Sequence, residues 1–281
     1  MLKKEKLIFD IENLYCGYNG KNAVLHIEKL KIPTNKIVFI LGLSGIGKST
    51  FIETLGLMND TIINKDSAKV NFISKDNSII NISELWNKDD EIQSKFREKY
   101  LSFIFQNTNL MSNMTAGENV CINLLFEGGD FEEAKSKVLE QFKNLNLDEE
   151  KFDSDITALS GGERQRVAFV RGLIANYEVL FGDEPTGNLD KKTAAQAMNG
   201  IKESLINMNK SSLIVTHDPD LALNFGDSII LITPKLLKSG KKMGVINETN
   251  MYFKENGNWI SNNGEILPNI KDLIFKTLSL G

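Results

Sequence analysis

Apolar residues fall along the chain in short blocks whose spacing changes from segment to segment. Residues 7 to 14 and 24 to 32 read as short strands, with the turn-like stretch Gly17-Tyr18-Asn19-Gly20 between them and Pro33-Thr34-Asn35 closing the pair. An antiparallel β layer is the expectation. Ile37 to Leu41 is a continuous β-branched and aromatic run, followed by a glycine-rich turn and then by Ser49 to Met58 at helical spacing: strand, loop, helix. Residues 60 to 105 alternate apolar runs (Val70 to Ile73, Ile79 to Ile82, Leu101 to Phe105) with polar turns and a charged stretch from Lys88 to Lys99, and the last run is expected to be a buried strand.

From Thr115 to about Leu147 the period turns helical, with Phe131, Ala134, Val138, Leu139, Phe142 and Leu145 as an apolar stripe, which predicts a separate helical subdomain over about residues 107 to 160. Strands return at Val179 to Phe181, Ser212 to Val215 and Ser228 to Ile232, with helical segments at Gly162 to Asn176 and Lys191 to Met208. Alternation of this kind implies an α/β fold on a mainly parallel sheet. After Pro234 the chain becomes polar and glycine-rich. Met251 to Lys254 and Asn258 to Ile260 flank Asn256-Gly257 as a β-hairpin would, and residues 234 to 281 read as a C-terminal appendage with no chemistry of its own, leaving 1 to 233 as the main domain.

Composition narrows the function classes. With 41% hydrophobic and 25% charged residues in 281, the chain is an ordinary globular one. A net charge of −4 gives no basic excess of the kind that binds nucleic-acid phosphates. The two cysteines, Cys16 and Cys121, are far apart and suit a reducing compartment rather than a disulfide framework. No apolar run approaches the roughly 20 residues of a membrane span, and Met1 to Lys6 leads into no signal-peptide apolar region, so the expected location is cytoplasmic, reaching a membrane through a partner.

Three stretches carry chemistry. Gly42-Leu43-Ser44-Gly45-Ile46-Gly47-Lys48-Ser49 fits the P-loop pattern and stands between a predicted buried strand and a helix, as that pattern must. Its glycines let backbone N–H groups surround a phosphate, the helix N-terminus adds positive potential, Lys48 neutralises charge and Ser49 offers a hydroxyl to Mg²⁺, with Thr50 beside it. Tyr177 to Phe181 is an apolar strand that ends at Gly182-Asp183-Glu184; Asp183 reads as the metal-side carboxylate and Glu184 as the general base for water. Leu159-Ser160-Gly161-Gly162-Glu163 opens a helix with a second set of backbone donors suited to phosphate. A chance loop or a solvated turn explains any one of these stretches, but their conjunction points to one machine.

Here the chain resembles the ABC ATPase family, whose signature is matched by Ser160, Gly161, Gly162 and Glu163 between the P-loop and the strand that ends at Asp183-Glu184, the family's Walker B element. The resemblance spans roughly residues 7 to 232 and brings further expectations. Gln106 resembles the glutamine that contacts Mg²⁺ and the attacking water, Asp190 in Asn188-Leu189-Asp190 the acid at a dimer seam, and His217 the histidine that senses the γ-phosphate. Tyr18 matches the aromatic that stacks on adenine, with Tyr15 as its rival; His26 stays structural. The family implies ATP and Mg²⁺, a head-to-tail homodimer with each ATP between one P-loop and the other chain's signature, and separate multi-span membrane subunits on the inner face of the cell membrane. Asp183 to Asp190 is similar to the branch serving lipoprotein release, macrolide export and cell division. Gly182 before Asp183, the missing Gly-Glu pair at Asn35-Lys36 and the long tail depart from the usual pattern. The competing expectation is a non-transport member acting on nucleic acid or ribosomes.

Overall fold

The computed structural model describes residues 6–18, 22–126, 128–238 and 240–279. Two long strands begin it, β1 (Leu7–Tyr18) and β2 (Asn22–Pro33), paired antiparallel. The first outruns its sequence expectation because its burial phase changes midway: Phe9 and Ile11 point inward, then Leu14 and Cys16, with Asn13 at φ 51 marking the break. The second changes phase opposite it, from Leu25 and Ile27 to Leu30 and Ile32, so both strands keep one face on the core. Of the expected turn between them, Gly17 and Tyr18 are in strand, while Asn19 and Gly20 lie outside the described residues. A Cβ on Gly17 would stand 2.2 Å from the Asn22 carbonyl oxygen, which only glycine permits.

β3 (Ile37–Leu41) is buried along its whole length because it lies between two layers. Its residues alternate between cores: Ile37, Phe39 and Leu41 join the helices, while Val38 and Ile40 face the antiparallel layer. α1 (Lys48–Leu55) follows, then β4 (Lys69–Ile73), β5 (Ile79–Asn81) and the one-turn α2 (Ile82–Leu85). The charged stretch after Lys88 forms α3 (Asp90–Tyr100), with Gln93, Phe96 and Tyr100 on one face at spacings of three and four. β6 (Leu101–Ile104) is the expected buried strand.

Residues 107–160 hold α4 (Ala116–Phe126), α5 (Phe131–Asn144) and two 3-10 turns, Glu149–Asp153 and Ile156–Ala158. Ala134, Val138, Phe142 and Leu145 face inward as the stripe predicts, but Phe131 at the first turn is 42% exposed. These helices pack on α6 (Gly161–Ile174) and share its apolar cluster with β3, so this segment has no separate core. β7 (Val179–Asp183), α7 (Lys191–Met208), β8 (Ser211–Val215), α8 (Pro219–Phe225) and β9 (Ser228–Leu231) complete the alternation.

The tail departs from the sequence expectation. β10 (Thr233–Leu236) pairs with β11 (Lys242–Ile246), and β11 runs parallel to β2, so the pair extends the antiparallel layer. β12 (Met251–Glu255) pairs antiparallel with β9 and turns through Asn256 and Gly257, at φ 49 and 81, into β13 (Asn258–Ser261). Both φ values lie where a two-residue hairpin turn needs them. α9 (Ile270–Leu278) then buries Ile270 and Ile274 beside Ala222. Residues 234–279 therefore do not stand apart as an appendage would; they lengthen both sheets because edge strands of each offer unpaired backbone groups. Among the described residues the sheets run β10-β11-β2-β1-β4-β5 and β13-β12-β9-β3-β8-β7-β6, the second parallel from β9 to β6. This is an α/β fold with a mainly parallel sheet, an antiparallel layer and a helical segment.

Candidate functional site

The carboxyl ends of β3, β8, β7 and β6 lie side by side, so the residues just beyond them meet in one crevice, where open parallel sheets hold their ligands. After β3 the loop passes through Gly45 at φ 70 and Gly47 at φ 102 before α1 begins. These left-handed positions turn successive backbone N–H groups toward a common point. The Ile46 side chain plugs the loop into the core at 3% exposure, so Ile46 offers a ligand its backbone only. Lys48 curls back and donates to the carbonyl oxygens of Gly42, at 2.9 Å, and Leu43, at 2.8 Å. Burial holds its ammonium below the ordinary lysine range, against the pull of Glu184 and Asp183.

Asp183 ends β7, and its carboxylate accepts from the Ser49 hydroxyl at the first turn of α1; burial pushes it above the usual carboxylate range. Glu184 sits in left-handed backbone at φ 47, its N–H donating to the Val215 carbonyl at 3.0 Å. Because Asp183 pairs with Val215, the next turns of both strands bring Glu184 against His217: Glu184 Oε1 lies 2.8 Å from His217 Nε2. Gln106 emerges two residues after β6. Tyr18 closes the opposite side, its hydroxyl 3.0 Å from Thr50 Oγ1. One cleft is lined by Tyr18, Val24, Ser44, Gly45, Gly47, Lys48, Ser49, Thr50, Gln106, Glu184 and His217. Tyr15 does not line it; its ring stacks on His26 at 3.8 Å.

The remaining expected residues lie elsewhere. Ser160 caps α6 and Glu163 caps it reciprocally: Ser160 Oγ accepts from the Glu163 N–H at 3.2 Å, and Glu163 Oε2 from the Ser160 N–H at 2.7 Å. That second bond, with Lys151 3.0 Å from the carboxylate, pushes Glu163 down to about 2. A Cβ on Gly161 would meet nothing, and Gly162 stands beside the Asn188 carbonyl, 3.9 Å from such an atom. Asp190 caps α7, accepting from Lys192, Thr193 and the Thr193 hydroxyl. None of Ser160, Gly161, Gly162, Glu163 or Asp190 lines the cleft of its own chain.

Several contributors were not singled out from sequence. Glu53, one turn after Ser49, accepts from the Tyr18 hydroxyl at 3.3 Å. Val24 reaches the cleft from β2. Buried Gln165 donates to the Pro185 carbonyl at 2.8 Å, tying α6 to the turn after Glu184, and Arg171 donates to the carbonyls of Thr108 and Asn109, just past Gln106, both at 2.9 Å. The i+4 spacing of Glu53 from Ser49 was a legible signal; the others depend on partners far along the chain.

Residues 25–187 match the family model described as ABC transporter. The lipoprotein-releasing system ATP-binding protein LolD of Pseudoalteromonas translucida (strain TAC 125) is 36% identical over 233 residues, 82% of this chain and 95% of its own. The chain belongs to the ABC transporter family. The macrolide export ATP-binding/permease protein MacB of Chlorobium phaeobacteroides is 31% identical over 261 residues; that match takes in 92% of this chain but 37% of the relative. Among solved structures, the dimeric MJ0796, a bacterial ABC transporter cassette, superposes with a TM-score of 0.68 at 32% identity, covering 79% of this chain and 93% of that one. The post-hydrolysis MJ0796 cassette bound to ADP and Pi gives 0.67 at 30%. This ABC cassette is accordingly an ATPase, similar to the LolD and MacB ATP-binding proteins.

Proposed function

We propose that the chain is the motor subunit of an ABC membrane complex, in which ATP-driven closure of a head-to-tail homodimer is passed through separate multi-span membrane subunits as transport or mechanical force. The observation that carries this reading is the division of labour within one chain: the P-loop, Gln106, Glu184 and His217 line one cleft, while the Ser160 turn, with open space at Gly161, lines none of it. A second chain supplies what the first leaves undone. Residues 107–160 and the Gln106 segment carry the motion outward. No helix among the described residues is long and apolar enough to cross a membrane, and the releasing system and the export permease in the relatives' names support a post beside one, which this reading puts on its inner face.

Tyr18 offers the adenine a ring, the loop N–H groups and the N-terminus of α1 receive the phosphates, and Lys48 exchanges the carbonyls of Gly42 and Leu43 for phosphate oxygens. Ser49 and Asp183, a hydroxyl and a half-buried carboxylate in hydrogen-bond contact, with the Gln106 amide nearby, are the hard oxygen donors that suit Mg²⁺. Bound there, Mg²⁺ would supply positive charge against the phosphates. Glu184 orients the attacking water and takes its proton, held in place by His217; catalysis is positioning and electrostatics.

The test pairs two variants. Lys48→Ala is expected to lose tight ATP binding. Glu184→Gln is expected to bind ATP as wild type does, to hydrolyse it about 10²- to 10⁴-fold more slowly, the usual worth of a general base, and to accumulate as an ATP-bound dimer. Undiminished turnover in Glu184→Gln would falsify the assignment of the base. Affinity purification from membranes should recover a multi-span chain; recovery of the cassette alone would count against the membrane complex.

A further inference from the structure

Tyr18 ends β1, 49% exposed as a residue, with its hydroxyl between two side chains of α1, Thr50 Oγ1 at 3.0 Å and Glu53 Oε2 at 3.3 Å. Residues three apart on a helix share a face, so one side chain can touch both. Asn59, just past α1, donates its amide to the same Glu53 oxygen at 2.9 Å and fixes the carboxylate from behind.

The hydrogens in this chain of bonds have a single arrangement. A carboxylate only accepts, and a tyrosine hydroxyl has one hydrogen to give. Tyr18 therefore donates to Glu53, and Thr50 donates to the Tyr18 oxygen. Loss of surrounding water, against the opposing Thr50 bond and with the Glu53 charge, pushes the Tyr18 hydroxyl up from its ordinary value, so it keeps that hydrogen near neutral pH. Thr50 also has one hydrogen, and it stands in the first turn of α1, where the helix N-terminus draws anions. Once Thr50 turns that hydrogen to a phosphate oxygen, Tyr18 loses its hold on Thr50, and Glu53 becomes the partner that keeps the ring in place.

We propose that Glu53 is a positioning residue for Tyr18, holding the ring at the mouth of the cleft so that the base meets a platform already ordered. The proposal rests on Tyr18 being that platform. An ordered ring saves the rotamer freedom that binding would otherwise freeze, so its effect falls on affinity and not on the chemical step.

ATP affinity and saturated turnover are measured for Tyr18→Phe, Glu53→Ala, Glu53→Gln and the double variant Tyr18→Phe/Glu53→Ala. Each of Tyr18→Phe and Glu53→Ala is expected to weaken ATP binding about fivefold, the worth of one hydrogen bond. The double variant should be no weaker than either single one, because both remove the same bond. Glu53→Gln, whose amide oxygen still accepts, should stay near wild type in affinity, and where binding weakens the change should fall on KM rather than on kcat. Additive losses, a Gln variant as weak as the Ala variant, or an effect confined to kcat would overturn the proposal. Tyr18→Ala separates the two claims. If it leaves ATP affinity untouched, the platform reading itself fails; if it weakens binding while Glu53→Ala does not, only the role of Glu53 falls.

Discussion

At the scale of single residues, much of the site follows from a few atoms each. Glu184 occupies left-handed backbone that costs a glutamate about 1–2 kcal/mol, and the Val215 carbonyl and His217 hold it there. Glu163 shows the same economy in a capping role. The Ser160 N–H, then Lys151, depress its carboxyl from 4.5 to about 2, so its ionised form stabilises the fold. The contribution is complete above the unfolded value and disappears as pH falls from about 4.5 toward 2. Glu163→Gln keeps an acceptor for Ser160 but no charge. In urea titrations the gap between wild type and variant should be constant near neutral pH and narrow below about pH 4.5; a gap independent of pH would show that ionisation adds nothing to the cap. Lys48, Ser49, Asp183, Glu184, Gln106 and His217 were legible because each follows a strand or opens a helix whose local pattern is plain. Gln165 and Arg171 were not, since their partners are 20 and 63 residues away, and for Glu53 the i+4 spacing from Ser49 gives its helix face but not Tyr18, 35 residues away.

At the scale of elements, periodicity located the central strands and most helices, and failed where the phase or the partner changed. The break at Asn13 hid the second half of β1, and the low apolar content of α3 hid a helix that needs only Phe96, Tyr100 and Gln93 to seat it. The placement of the tail is hidden for a different reason: polar, glycine-rich composition says nothing about which distant edge a strand will join, and β11 joins β2 through Gly244 and Leu25. A deletion of residues 234–281 measures the difference. It strips two strands from each sheet and the buried side chains of Met251, Tyr252, Trp259, Ile260, Ile270 and Ile274. At about 1.5–3 kcal/mol for each large apolar side chain, the loss matches the 5–15 kcal/mol that holds a typical domain together. The truncated chain is expected to be insoluble or unfolded by circular dichroism; a soluble product with a wild-type Tm would show that residues 1–233 form a domain that needs no cover on these edges.

At the scale of the whole molecule, the P-loop cleft and the Ser160 turn lie apart within one chain. The cleft holds the P-loop, while the α6 N-terminus, capped at Ser160 and open at Gly161, lines none of it. If the turn works across a dimer, damage to the two halves need not lie in the same site. A Lys48→Ala chain mixed with a Ser160→Arg chain forms one composite site that carries both lesions and one that carries neither. Each mutant homodimer has no whole site, since the first lacks the cation of the cradle and the second drives a bulky charge into the turn. The mixed dimer should therefore occlude ATP in its intact site, read as ATP-dependent dimerisation that neither homodimer shows. A signature working within its own chain predicts the opposite, because every subunit in the mixture then holds a damaged site. Absence of ATP-dependent closure in a verified mixed dimer would remove the dimer sandwich, and with it the route by which phosphate binding becomes motion.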